Sequence, residues 1–327
     1  MKARKSKLSR QSFASVSPTQ AQSRIVTAAR MHADEVETNE PLVRRLLNAQ
    51  FPAWAELPIK RVESAGTDNA LYRLGSNMVV RLPRIHWAVD AVEKEQRWLP
   101  LISRHLPLAV PSPIAKGTAG EGYPWDWSIY SWLDGKSAAI ASINDLKQAG
   151  VDIAGFIVAL RGIDPTDGPR PKRPSRLAMY DSVTRAAISQ LENEIDGRLA
   201  RRVWDAALEA HEWDGRPTWV HSDLDPGNVL IRSGRISAVI DWGSLHIGDP
   251  ARDMKIAWSL LSGESRDIFQ DRVGADDATW ARGRGMVLAE ALQNLLYYNM
   301  HSNPVIVRMA YHKISQLTVD QSDRDRG

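Results

Sequence analysis

Three side chains in one short stretch are of the types that phosphoryl transfer requires. The stretch reads Trp219-Val-His221-Ser-Asp223-Leu-Asp225-Pro-Gly227-Asn228-Val-Leu-Ile231, and ten residues later comes Asp241-Trp242-Gly243. Moving a phosphoryl group onto a hydroxyl needs a group that orients the hydroxyl and accepts its proton. It also needs hard oxygen ligands that hold a divalent cation against the phosphates. Asp223 offers a loop carboxylate for the first task. Asn228 and Asp241 offer oxygens for the second. Val229–Arg232 and Arg235–Trp242 flank Ser233-Gly234, a pair suited to a two-residue hairpin turn. Such a hairpin folds Asp241 back toward the loop that carries Asp223.

The pattern H-x-D-x-x-x-x-N followed by D-x-G resembles the catalytic loop of protein kinases. Ser222 stands where those enzymes carry arginine, and Trp242 where they carry phenylalanine. No A-P-E segment follows. With Gly248-Asp249-Pro250-Ala-Arg-Asp253 downstream, the chain resembles the aminoglycoside phosphotransferase and choline kinase superfamily. The resemblance spans nearly all of residues 31–327 in order of elements, although its specific motifs occupy only about a tenth of them. It implies an α+β, protein-kinase-like fold of two lobes. It further implies an O-phosphotransferase that uses ATP or GTP with Mg²⁺, with Asp223 as catalytic carboxylate and Asn228 and Asp241 as metal ligands. His221 is then expected to hold the loop backbone, and Asp253 to accept from catalytic-loop amides inside the protein. Asp225 reads as a solvated loop residue.

The same resemblance assigns the nucleotide grip to the N-terminal half. Gly66-Thr67-Asp68-Asn69 lies between two predicted strands, where the family has its phosphate-covering loop, so Gly66 and Asn69 are candidates. Arg81 occupies the place of the usual phosphate-contacting lysine. It keeps the charge, but its planar fork changes the phosphate geometry. Glu95 is its expected ion-pair partner and Glu93 the alternative. Backbone groups near Ser131 and Leu133 would read the base.

The elements that must position these groups follow from periodicity. A helix is expected over 38–49, with Leu42, Val43, Leu46 and Leu47 on one face. Strands are expected at 59–64, 70–74, 77–82, 112–117 and 127–132, with a helix at 88–99 that Pro100 ends or restarts. Beyond Asp134-Gly135 the pattern turns helical. Asn144 is read as the cap of a helix carrying Leu146, Ile153, Phe156, Ile157 and Leu160. Further helices are expected at 177–194, 197–213, 251–262, 277–298 and 304–317. The expected organisation is a basic leader (1–30), an N-terminal nucleotide-binding lobe (31–133) and a helical C-terminal lobe (134–327).

Composition narrows the classes. Of 327 residues, 43% are hydrophobic and 25% charged, as in ordinary globular proteins. The absence of cysteine excludes disulfides and thiolate metal sites and is compatible with a reducing cytoplasm, the expected location. No apolar run reaches ~18 residues, so no spanning helix is expected. The net charge of +3 is uneven: residues 1–30 hold seven basic groups and no acid, leaving 35 basic against 39 acidic groups in the rest. The leader reads as a disordered tail, or as sequence ahead of a start at Met31, rather than as a nucleic-acid or membrane arm. No nucleic acid, membrane or obligate protein partner is expected, only a nucleoside triphosphate and a small hydroxyl-bearing acceptor. Most of the twelve tryptophans, Trp98 and Trp258 among them, read as core.

The overall resemblance implies an acceptor of the aminoglycoside or macrolide antibiotic type, with no pocket residue to choose between the two. A polycationic aminoglycoside would call on Asp249, Glu264, Asp267, Asp271 or Glu290. A macrolide would call on Trp258, Met286 and Tyr297. A metabolite kinase or a nucleotide-binding pseudokinase are the other readings.

Overall fold

The computed structural model describes residues 35–63, 68–171 and 176–324. The basic leader and Gly66 lie outside them. The described residues all fall within one compact unit, Met31–Gly327.

Among the described residues the first helix is α1 (Glu40–Gln50), whose first turn is capped by Asn39 Oδ1 accepting from the Leu42 amide at 2.9 Å. Its face of Leu42, Val43, Leu46 and Leu47 is buried as the spacing requires. Then come β1 (Ile59–Val62), β2 (Asn69–Leu74) and β3 (Met78–Pro83), the helix α2 (Val89–Ile102), and β4 (Pro113–Gly117) and β5 (Trp127–Ser131). The five strands form one antiparallel sheet in the order β1-β2-β3-β5-β4. Strict alternation in β2 and β3 sends Tyr72, Leu74, Val80 and Leu82 into a core shared with α1, Trp127 and Ile129. Gly117 is required there, because a Cβ at that position would stand 2.1 Å from the Trp127 ring.

The connector after β5 leads to β6 (Lys136–Ser137), α3 (Leu146–Arg161), α4 (Asp181–Gln190), α5 (Gly197–Glu209) and β7 (Trp219–Val220). The hairpin β8 (Val229–Arg232) and β9 (Arg235–Val239) follows, then β10 (His246–Ile247), α6 (Ile256–Ser259), α7 (Glu264–Val273), α8 (Asp277–Tyr297) and α9 (Pro304–Arg324). Ser233 and Gly234 both take positive φ, 52° and 75°, which matches the twist that a two-residue hairpin turn needs. The second core joins Trp98, Leu99 and Ile102 of α2 to α3 and to Trp204, Trp219, Trp242, Trp258 and Trp280. Thus α2 belongs to the sheet by sequence and to the helical core by packing. No helix among the described residues is long and apolar enough to cross a membrane.

Some expectations need correction. Pro100 neither ends nor restarts α2, which runs on to Ile102. The proline sits in the last turn, where little of the ladder remains to be broken, and Leu99 and Ile102 anchor that turn in the core. The cap of α3 is Asp145, accepting from the Gln148 amide at 3.0 Å. The Asn144 amide instead donates to Gly234 O at 2.9 Å, pinning the helix start to the hairpin turn. Residues 251–262 are not one helix: a 3₁₀ segment, Pro250–Lys255, precedes the short α6. The helix α7 was not expected, because only Phe269 and Val273 give it a clear apolar rhythm.

Candidate active site

The loop between β7 and β8 carries Asp223, and the register of the hairpin brings Asp241 back to it. Val229 pairs with Val239, and the Ile240 amide donates to Asn228 O at 2.9 Å. Asp241 is therefore the next residue beyond a direct tie to Asn228. Asn228 Nδ2 donates to Asp223 O at 2.8 Å and to Asp223 Oδ2 at 3.0 Å. Ser222 and Asp241 both hold positive φ, 68° and 62°, a conformation that costs a non-glycine residue about 1–2 kcal/mol. Such strain persists where surrounding bonds over-determine it, and here they do.

Asp253 is fully buried, and its two oxygens accept from the His221 amide at 3.1 Å and the Ser222 amide at 2.8 Å. His221 Nδ1 accepts from the Asp223 amide at 3.3 Å, and Nε2 lies 3.2 Å from Ile240 O. Its ring therefore spans the loop and the hairpin. Trp242 packs edge-on against His221, with centroids 4.6 Å apart, and is itself fully buried. Both residues thus brace the loop. Asp249 caps the 3₁₀ segment through the Ala251 amide and is held by Arg282 at 2.8 and 3.1 Å.

From the sheet side, Arg81 on β3 reaches the same point. Its Nη1 bonds Glu95 at 2.5 and 2.6 Å, and its Nη2 bonds Asp241 Oδ1 at 2.6 Å. With its amide oxygen turned inward, Asn69 accepts from Arg81 Nη2 at 2.9 Å. Glu95 is buried and also accepts from Tyr130 Oη, whereas Glu93 pairs with the surface Lys116 at 2.7 Å. Burial alone would lower the Arg81 pKa, but the charges of Glu95 and Asp241 outweigh it and hold it above the ordinary value. Burial, aided by the Glu95 charge, also pushes the Tyr130 phenol up. Lys94 of α2 adds a second tie, donating to Gly243 O at 2.6 Å.

Asp223 and Asp241 each keep 41% of their side-chain surface, so both remain reachable by a ligand. Asn228 spends its nitrogen on Asp223, which leaves its amide oxygen for another partner. An amide oxygen and a half-exposed carboxylate fit Mg²⁺, which takes few protein ligands and completes its shell with water and phosphate oxygens. Among the described residues no group of three or more His, Cys, Asp or Glu forms a dedicated metal cage.

In the connector, the Ser131 amide donates to Ser112 O at 2.9 Å and the Trp132 amide to Asn77 O at 2.8 Å. The Ser131 N–H is thereby committed to the sheet, and Leu133 follows outside any regular element.

A second cluster was not expected from the sequence. Lys255 Nζ lies 2.8 Å from Asp223 Oδ1, 2.8 Å from Asp225 Oδ2 and 3.1 Å from Glu290 Oε2. Lys313 of α9 lies 2.9 Å from Asp225 and 2.8 Å from Glu290. Asp225 is thus no solvated loop residue but a bridge between two buried lysines. Burial would lower the Lys255 pKa, yet the charges of Asp223, Asp225 and Glu290 hold it well above its ordinary value. Burial would raise the Glu290 carboxyl, but Lys255 and Lys313 hold it well below its ordinary 4.5. A depressed carboxyl stabilises the fold above its unfolded pKa and loses that contribution as pH falls below it. The melting temperature is therefore expected to drop as pH falls below 4.5, and Glu290→Gln to flatten that drop. Thermal melts across the acid range check this; parallel curves for the two proteins would contradict it. The signal missed in the sequence was a lysine set among apolar neighbours, Met254-Lys255-Ile256-Ala257-Trp258 and Lys313-Ile314.

Beside this cluster lies a cavity of ≈ 210 Å³, with Leu177, Tyr180, Val183, Met286, Ser222, Arg252, Lys255 and Glu290 in its lining. Of the acids considered for a cationic acceptor, only Glu290 lines it; Glu264 pairs with Lys147 at the surface. Of the apolar candidates, Met286 lines it, Trp258 is buried against Trp280 and Tyr297 is exposed.

A small antiparallel sheet with its helix, joined to a helical body that carries a catalytic-type loop and hairpin, defines a kinase-like α+β protein. The family described as "Phosphotransferase enzyme family" (APH) matches residues 59–286, and the chain belongs to it. Among curated proteins, it is 25% identical over 187 residues to the uncharacterized protein YcbJ of Bacillus subtilis (strain 168), covering 54% of this chain and 58% of that one. It thus spans just over half the length of that relative. Among solved structures, the GDP complex of wild-type aminoglycoside 2'-phosphotransferase-IIIa aligns with a TM-score of 0.64 at 15% identity, covering 85% of this chain and 99% of the other. Macrolide 2'-phosphotransferase MphH from Brachybacterium faecium aligns with a TM-score of 0.56 at 20% identity, covering 83% and 97%. At those identities the likeness establishes the fold.

Proposed function

We propose that the protein transfers the γ-phosphoryl group of ATP or GTP to a hydroxyl of a small molecule of the aminoglycoside or macrolide type. One observation carries the reading: Asn228 binds the Asp223 carboxylate while the hairpin returns Asp241 beside it, with Arg81 tying Asp241 to Glu95. In this reading Asp223 orients the acceptor hydroxyl and takes its proton. Asn228 and Asp241 hold Mg²⁺, which neutralises phosphate charge. Arg81 and Asn69 face the phosphates from the sheet, and the backbone at Leu133 reads the base. Family membership and the fold shared with aminoglycoside and macrolide phosphotransferases support it.

The cavity favours an acceptor without many positive charges. Its carboxylate, Glu290, is already bound by two lysines, and Arg252 adds positive charge to the lining. Leu177, Tyr180, Val183 and Met286 give the lining an apolar side, of which Tyr180 and Val183 are exposed. A polycation would lose ion pairing here, and each ~1.4 kcal/mol lost is a tenfold preference. Erythromycin is expected to be phosphorylated with a kcat/KM at least ~10-fold above that of kanamycin. A preference for kanamycin in parallel steady-state assays would overturn this assignment.

A further inference from the structure

The lysine at the catalytic carboxylate has a role that the phosphotransfer reading does not itself supply. Both oxygens of Asp223 are held: Oδ2 by Asn228 at 3.0 Å and Oδ1 by Lys255 at 2.8 Å. Lys255 is only 5% exposed, yet it lines the acceptor cavity together with Ser222, Arg252 and Glu290. It comes from the 3₁₀ segment Pro250–Lys255, whose Asp253 fixes the amides of the same loop. That one segment therefore fixes the loop's backbone through Asp253 and its carboxylate through Lys255.

Behind Lys255, Asp225 and Glu290 are shared with Lys313 of α9. Three carboxylates thus face two ammonium groups. When Asp223 takes a proton, the cluster moves from one excess negative charge to balance. Removing Lys255 would leave Asp225 and Glu290 on Lys313 alone and Asp223 held at Oδ2 only, by Asn228, with Oδ1 released. An oriented reacting group is worth much more than its contact energy, because a misplacement of ~1 Å can cost ~10²-fold in rate.

We propose that Lys255 is a positioning residue for phosphoryl transfer: it clamps Asp223 Oδ1 so that the carboxylate faces the acceptor hydroxyl, and the relay Asp225–Lys313–Glu290 anchors that clamp to α9. The inference rests on the phosphotransferase reading given above. In the step, the acceptor O–H proton passes to Asp223 and the acceptor oxygen bonds the γ-phosphorus. The bond from the γ-phosphorus to the bridging oxygen breaks, and its electron pair leaves with the nucleoside diphosphate. Lys255 keeps its protons throughout.

The test uses MgATP and MgGTP hydrolysis by the full chain, with water in the acceptor's place, alongside nucleotide affinity and melting temperature. Lys255→Met is expected to lower kcat by about 100-fold with nucleotide KM within about twofold of wild type, and Lys255→Arg to recover part of that loss. Lys255→Met unbalances a buried cluster at a cost to stability, so the deciding variant is Lys255→Met with Glu290→Gln, which removes one charge of each sign. It is expected to recover the melting temperature but not kcat. Recovery of kcat together with stability, or a single Lys255→Met variant with wild-type kcat, would overturn the inference. The two failures are separable. A wild-type chain that hydrolyses neither nucleotide, or an Asp223→Asn variant as active as wild type, sinks the phosphotransferase reading itself.

Discussion

Asp223→Asn is expected to lower phosphoryl transfer by on the order of 10³-fold while leaving nucleotide affinity nearly unchanged. General-base contributions of this kind fall in the range ~10²–10⁴. The substitution keeps the shape of the side chain, but it leaves one acceptor oxygen where Asn228 and Lys255 each donate, and it removes the proton acceptor. It also removes the negative charge that Lys255 now neutralises at 2.8 Å. The loop should hold its conformation, because its backbone is fixed elsewhere, by Asp253 on two amides and by His221 between the loop and Ile240. Steady-state kinetics with parallel nucleotide titration separates the two effects. Full activity in this variant would contradict the assignment of Asp223.

Asp241→Ala is expected to remove the dependence of nucleotide affinity on Mg²⁺. In the proposed function Asp241 is one of two oxygen donors to the ion, and the other, Asn228, is neutral. Without the carboxylate the remaining amide supplies too little charge to hold a divalent cation against phosphates. A second consequence follows from Arg81. One Nη2 N–H loses its 2.6 Å bond to Asp241 and is released for a phosphate, while Asn69 keeps the other and Nη1 stays on the buried Glu95. Metal-free nucleotide binding should therefore be kept or strengthened as the metal-dependent gain, ~10-fold or more in the parent protein, disappears. Titrations with and without Mg²⁺ check both. A variant whose affinity still rises with Mg²⁺ as in the parent would remove Asp241 from the metal site.

The parts of this site that sequence made legible share a physical property: they are local. The spacing from Asp223 to Asn228 and the Ser233-Gly234 turn each lie within one loop or hairpin, so a linear pattern contains their geometry. The roles of His221 and Asp253 as backbone holders were likewise open to reading, because the motif places both around one loop. What escaped was carried by contacts between distant segments. Lys255, Glu290 and Lys313 lie on three separate elements, and nothing short of the fold puts them against Asp225. The misread cap at Asn144 has the same origin, since the neighbouring hairpin turn claims its backbone amide. The helix α7 escaped for a different reason: its polar sequence is made helical by packing against α3 rather than by its own pattern. The strands of the sheet were legible because one face is buried and alternation is strict in β2 and β3.

Arg81 shows how a departure from a family pattern can be read once the partners are known. A lysine ammonium is a point charge and could serve a carboxylate or a phosphate in turn. The guanidinium fork serves Glu95 and Asp241 at once, with Asn69 beside it. Arg81 thereby tethers the sheet to the hairpin, and in the proposed function, where it faces the phosphates, nucleotide binding and the placement of Asp241 would be coupled.

Asp223, Asn228 and Asp241 are proposed to act at one point, and a crystal structure with Mg²⁺ and a non-hydrolysable ATP or GTP analogue tests this most directly. The expected result is a metal ion bound by Asn228 Oδ1 and an Asp241 oxygen, bridging the phosphates, with the γ-phosphate facing Asp223. A nucleotide seated away from the hairpin, or a metal held without Asn228 and Asp241, would contradict it.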